Sequence, residues 1–141
     1  MKTLLLGLLG LAALSCVGAA HAATYAGQSC QATLGTLTYG SSNARNNAAT
    51  GAAITCPVTR NRDNTTGPVS PVVYFIEDGK SKTCYFDNFN IDTGNLGVWT
   101  SASGTRRLAL PTLATTVLFH PLTFNCSLPA GSAVVGYYIS E

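Results

Sequence analysis

Along residues 23–141, apolar side chains alternate with polar ones over runs of four to eight positions, and turn-forming residues interrupt each run. Alternation sends every second side chain to one face of an extended chain, so these runs predict half-buried β-strands. The strands are expected over 33–39, 52–60, 72–77, 82–91, 97–101, 106–110, 115–128 and 133–140. No stretch of useful length carries a helical period. Runs spaced about ten residues apart predict an all-β chain of seven or eight strands, the pattern of a sandwich or small barrel, and the fold expected is a single compact antiparallel β-sandwich.

The phase of the pattern locates finer features. Ile54, Cys56 and Val58 share one parity, as do Leu122, Phe124, Cys126 and Leu128, so both sets face a core. Phe119 has the opposite parity, which predicts a bulge or kink at His120-Pro121, where proline lacks a ladder amide. Cys84 and Phe86 are out of phase with Phe89 and Ile91, which predicts a second bulge near Asp87-Asn88. Asp78-Gly79, between two apolar runs, predicts a hairpin that pairs Val73 or Val72 with Cys84. The polar stretches 40–51 and 61–71 are expected to be loops.

The first 22 residues break the alternation. Lys2, the apolar run from Leu4 to Leu14 and the closing Ala20-His21-Ala22 read as a secretory signal cut after Ala22. Gly7, Gly10, Ser15 and Gly18 interrupt the run, whereas a retained membrane helix needs roughly 20 apolar residues. Cys16 lacks the leucine three places upstream that lipidation uses, so no lipid anchor is expected. The chain therefore divides into a cleaved signal, 1–22, and one β-sandwich domain, 23–141, with no membrane insertion after cleavage and a secreted or periplasmic location. Removing 22 of 141 residues leaves 119, enough for one core.

Cleavage also makes the cysteines even in number: Cys30, Cys56, Cys84 and Cys126. In an oxidising compartment they predict two disulfides, and four cysteines allow three pairings. The sequential pairing, Cys30 to Cys56 and Cys84 to Cys126, is the one favoured, because it ties the N-terminal strand to its neighbour and joins the strands of Phe86 and Phe124. Chain entropy assigns such loops roughly 3.5 and 4 kcal/mol as an upper range. The spacing gives no C-x-x-C pair and the mature chain's sole histidine is His120, so no metal site and no cofactor are expected. Loss of Lys2 leaves seven basic against six acidic residues, a formal net charge of +1, with no basic run beyond Arg106-Arg107. That excludes a nucleic-acid footprint.

The chain resembles a type of small exported bacterial protein of unknown function. The likeness runs through Cys30, Cys56-Pro57-Val58-x-Arg60, an apolar strand ending at Asp78, Cys84, Cys126-x-Leu128-Pro129 and an aromatic terminus closing on Glu141. It implies a disulfide-linked β-sandwich and brings no catalytic residues; the loop after Arg60 is longer here.

Candidate chemistry is sparse. His120 has no G-x-S-x-G elbow to serve and reads as a strand-end residue, so no catalytic residue is assigned. Among Glu77, Asp78, Asp87 and Asp92, which would have to supply a glycosidase pair, Asp78 and Asp92 are accounted for by turns. Asn61, Asp63 and Asn64 lack the spacing of a calcium loop. Tyr85, Trp99, Tyr137 and Tyr138 suit flat sugar rings, although alternation puts Tyr137 and Tyr138 on opposite faces. The binding candidates are Trp99 and an arginine cluster of Arg45, Arg60 and Arg62; Arg60 is also expected to form a structural ion pair with Glu141, with Asp78 as the second choice of partner. Ala23 to Ser29 is too brief and polar for a donated strand. The expected function is a monomeric, exported, non-catalytic protein that binds or builds, its partner unspecified; a secreted enzyme or enzyme inhibitor using a surface loop, and a pilus or adhesin subunit, are the alternatives.

Overall fold

The computed structural model describes residues 22–59, 68–90, 95–113 and 121–141. Eleven strands are present among them: β1 (Ala22–Ala26), β2 (Gln31–Leu34), β3 (Thr38–Tyr39), β4 (Ala44–Arg45), β5 (Ala52–Val58), β6 (Ser70–Phe75), β7 (Lys82–Asn90), β8 (Asn95–Gly104), β9 (Arg107–Ala109), β10 (Leu122–Leu128) and β11 (Ala133–Ser140). They form two antiparallel sheets. The first runs β3-β4-β11-β6-β9 with β1 also on β11, and the second runs β2-β5-β10-β7-β8.

The alternating runs account for β2 and β3 and for β5 to β11. β5 and β10 bury every second residue as their parity requires. Their inner faces meet Phe75, Tyr137 and Ile139 of the first sheet in one core. Phe124 sits at its centre, 4.7 Å from the Phe86 ring centroid and 5.3 Å from that of Tyr137. Both disulfides cross-link the second sheet: Cys84 to Cys126 lies within it, and Cys30, just before β2, is joined to Cys56 of β5. Cys126 and Cys84 are direct cross-strand partners on β10 and β7. The ladder between β7 and β8 slips between Asp87 and Phe89, where the change of phase predicts a bulge. The residues 114–120, including His120, lie outside the described residues, and so do residues 91–94, where most of the turn expected at Asp92-Thr93-Gly94-Asn95 falls.

Four features depart from the sequence reading. Asp78-Gly79 does not make a hairpin: β6 pairs with β11 and β9 while β7 pairs with β10 and β8, so residues 76–81 cross between the sheets. The run 33–39 is split because Gly35 takes a left-handed φ of 84°, after which the chain leaves the second sheet for the first. The stretch 40–51 contains β4 and is organised by Asn46. That buried side chain donates to Thr50 O at 2.7 Å and Leu128 O at 2.9 Å and accepts from the Ala48 amide. Finally, the segment dismissed as a donated strand does form a strand, β1, which pairs within its own chain to β11, from Ala22 opposite Ser140 to Ala26 opposite Gly136. Tyr25 anchors it, stacking on Tyr137 at 5.0 Å with its hydroxyl between the Thr59 amide and carbonyl. The 3₁₀ turn Gly27–Ser29 that follows needs glycine, since a Cβ on Gly27 would lie 2.2 Å from Val134 O.

At the crossover, Asp78 accepts hydrogen bonds from the Lys82 ammonium, the Ser132 hydroxyl and, at 2.9 Å, the Lys80 amide. Lys82 is fully buried, donates to Thr105 O at 2.9 Å and lies 5.7 Å from the Phe75 ring centroid. The turn signal in Asp78 is real, but the carboxylate is spent on tying the crossover to the connection at Ser132 and on holding Lys82, which in turn reaches the connection at Thr105.

Candidate binding groove on the outer face of the second sheet

The outward parity of the second sheet gathers polar and aromatic residues. Tyr85 and Asp87 are two positions apart on β7, Thr123 and Asn125 two apart on β10, and register places Asn125 opposite both Tyr85 and Thr55. Thr123 stands opposite Asp87, and Asp87 opposite Trp99 of β8. Tyr85 and Trp99 are 47% and 56% exposed, with ring centroids 5.9 Å apart and planes tilted by 58°. Together with Asp87 and Asn125 they line a groove of about 500 Å³. A smaller depression of about 230 Å³ adjoins it over Thr33, Ala53 and Ser127 and shares Tyr85 and Asn125.

Beneath the rings the polar groups are locked together. The Thr123 hydroxyl donates to Asp87 Oδ1 at 2.7 Å and Asn125 Nδ2 donates to Asp87 Oδ2 at 2.6 Å. Asn125 Nδ2 also donates to Thr123 Oγ1 at 3.2 Å, and Thr55 donates to Asn125 Oδ1 at 2.6 Å. Asp87 is only 3% exposed, so the network holds a carboxylate rigidly at the groove floor. Among the described residues no three His, Cys, Asp or Glu side chains gather where they could hold a metal ion.

Of the binding residues expected from sequence, Trp99 is in this groove and Arg45 is not. Arg45 lies on β4 in the first sheet and donates to Gly131 O at 3.0 Å. Arg60 and Arg62 lie outside the described residues, as do Asn61, Asp63 and Asn64, so neither the arginine cluster nor the pair of Arg60 with Glu141 is placed. Asp78, the second choice for Arg60, is bound to Lys82. Tyr137 and Tyr138 do face opposite ways: Tyr137 is buried and donates to Pro57 O at 2.7 Å, while Tyr138 stacks on Tyr74 on the outer face. Burial, with a smaller contribution from Tyr25, pushes the Tyr137 phenol up to about 12. Asn125 and Thr123 were not singled out by sequence; the signal for them was the strict alternation of polar residues between Phe124 and its core-facing neighbours.

No family model matches the chain, and no curated protein does. Solved structures are similar to it. The Podospora anserina GH26-CBM35 β-(1,4)-mannanase matches with a TM-score of 0.56 at 10% identity, over 85% of this chain and 28% of its own. A family two carbohydrate esterase from Cellvibrio japonicus gives 0.46 at 11% identity, over 86% of this chain and 33% of its own. The C-terminal CBM6 of LamC, a laminarinase from Zobellia galactanivorans, gives 0.42 at 14% identity, over 86% of this chain and all of its own. The chain thus spans about a quarter to a third of the first two, and what the mannanase likeness shows is the β-sandwich fold.

Proposed function

We propose that this chain is an exported, monomeric, non-catalytic β-sandwich that binds carbohydrate through the groove of Tyr85, Trp99, Asp87 and Asn125. The observation that carries the reading is the pair of exposed aromatic rings beside a hydrogen-bonded, partly buried polar network. Apolar ring faces suit the C–H faces of sugars, and a few fixed polar groups suit their hydroxyls. A mannanase that carries a CBM35 module in its name supports the reading by sharing the fold. Two disulfides support a location outside the reducing cytosol, secreted or periplasmic, in keeping with the small exported four-cysteine proteins the chain resembles. The groove and the adjoining depression cross β8 to β2, four strand spacings or about 19 Å, so the ligand is an oligosaccharide rather than one ring.

Screening the purified mature protein on a glycan array, then measuring the best ligand by titration calorimetry, tests this. Trp99→Ala and Tyr85→Ala are each expected to weaken binding at least tenfold, about 1.4 kcal/mol, without moving the thermal midpoint by more than a degree or two. Binding unaffected by both substitutions would remove the groove from consideration.

A further inference from the structure

We infer that the groove selects a sugar ring bearing a protonated amine; this rests on the carbohydrate reading above and specifies its ligand. The argument is a count of hydrogen-bonding capacity. Both protons of Asn125 Nδ2 are committed, one to Asp87 and one to Thr123, and its oxygen accepts from Thr55. The Thr123 proton goes to Asp87 and the Thr55 proton to Asn125. Every donor of this network therefore points inward, toward the carboxylate. What the floor has left to offer is acceptor capacity: the further lone pairs of Asp87, which an ionised carboxylate has in about four sites, and those of the two threonine hydroxyls.

An acceptor-only floor matches a ligand group that only donates. An ammonium has three donors and no acceptor, a hydroxyl has one donor with acceptors to be satisfied elsewhere, and an acetamido carbonyl or a carboxylate finds no free donor in the floor network. Charge points the same way. The five described basic residues are all engaged away from this face: Arg45 with Gly131, Lys80 with Ala130, Lys82 with Asp78, Arg106 with Glu77 and Arg107 with Tyr74. Asp87 accepts only from neutral donors in the network, so its charge is uncompensated by a described cation. The faces of Tyr85 and Trp99 favour a cation beside them as well.

The test uses native mature protein and four soluble probes: β-(1,4)-linked hexamers of glucosamine, N-acetylglucosamine and glucose, and spermidine, which carries amines without a ring. The glucosamine hexamer is expected to bind at least tenfold more tightly than each of the others, and Trp99→Ala to weaken it at least tenfold. Asp87→Asn, checked for fold by near-ultraviolet circular dichroism, is expected to bring the preference below threefold; the native comparison stands whether or not that variant folds. If the hexamers bind equally and Trp99→Ala weakens all of them, the amine inference fails and the carbohydrate reading survives. Equal binding of spermidine overturns the inference too. If no hexamer binds and the array finds no other glycan, both fail.

Discussion

Substituting Asp78 with alanine should cost this fold more than any other single loss of charge. In the native protein Lys82 has no contact with solvent, while the Asp78 side chain keeps 18% of its exposure. Removing Asp78 leaves the Lys82 ammonium with Thr105 O at 2.9 Å and the Phe75 ring at 5.7 Å, and frees the Ser132 hydroxyl and the Lys80 amide. Breaking a buried pair from one side typically costs 3 to 5 kcal/mol; because water reaches Asp78, we take about 2 to 4 kcal/mol. Adding Lys82→Met should restore at least about 1 kcal/mol, since it removes the stranded charge and keeps the bulk. Urea unfolding of the oxidised protein at pH 7 reads both as midpoint shifts at constant slope. Acid supplies an independent arm. Burial pushes the Asp78 carboxyl up, but hydrogen bonds from Lys82, Ser132 and the Lys80 amide, with the charge of Lys82, outweigh it and hold the group well below the usual carboxylate range. A depressed native pKa gives stability that is full above the unfolded value of about 4 and is lost as pH falls below it. The gap between parent and Asp78→Ala should therefore narrow below about pH 4. A gap under about 1 kcal/mol at pH 7, or one that stays constant down to pH 2, would refute the reasoning.

Three further outcomes are expected. Phe124→Ala empties the centre of the core and should cost about 3 to 5 kcal/mol in the same urea assay. Gly27→Ala drives a Cβ into Val134 O and should detach β1, seen as faster limited proteolysis in residues 23–29 with the binding groove intact. In alkali, the raised Tyr137 phenol gives stability that is full below about pH 10 and is lost as pH rises toward about 12; Tyr137→Phe should flatten that limb of the stability profile at the cost of the bond to Pro57 O.

Parity was the dependable signal. Where one face is buried, a strand such as β10 must keep strict alternation, so Phe124 and Cys126 could be assigned to the core and the phase slip at Asp87 to a bulge. What stayed hidden depends on which strands become neighbours. Asp78-Gly79 has the chemistry of a hairpin turn, yet the strands on either side find better partners in different sheets. β1 escapes notice because AATYA has no alternation to display; its strand character comes from the β11 edge and from Tyr25 stacking on Tyr137. The groove needs Asp87 and Trp99 in register across β7 and β8, a coincidence that spacing in one dimension does not reveal. Tyr85 and Trp99 were legible as flat aromatic candidates, whereas Thr55, Thr123 and Asn125 looked like ordinary solvent-facing residues until the ladders aligned them.

The position of β11 has a consequence for the order of assembly. It is the last strand in chain order, yet it is an interior strand of its sheet, holding β1 and β4 on one side and β6 on the other. A growing chain can close the second sheet, with both its cross-links, once residue 128 is available. The first sheet cannot join its β3-β4 and β6-β9 pairs until 133–140 arrive, and Tyr25 has waited more than a hundred residues for Tyr137. Such late, long-distance closure slows folding. It also keeps the emerging polypeptide pliable until β11 is free, and loss of that one strand would undo half the molecule at once.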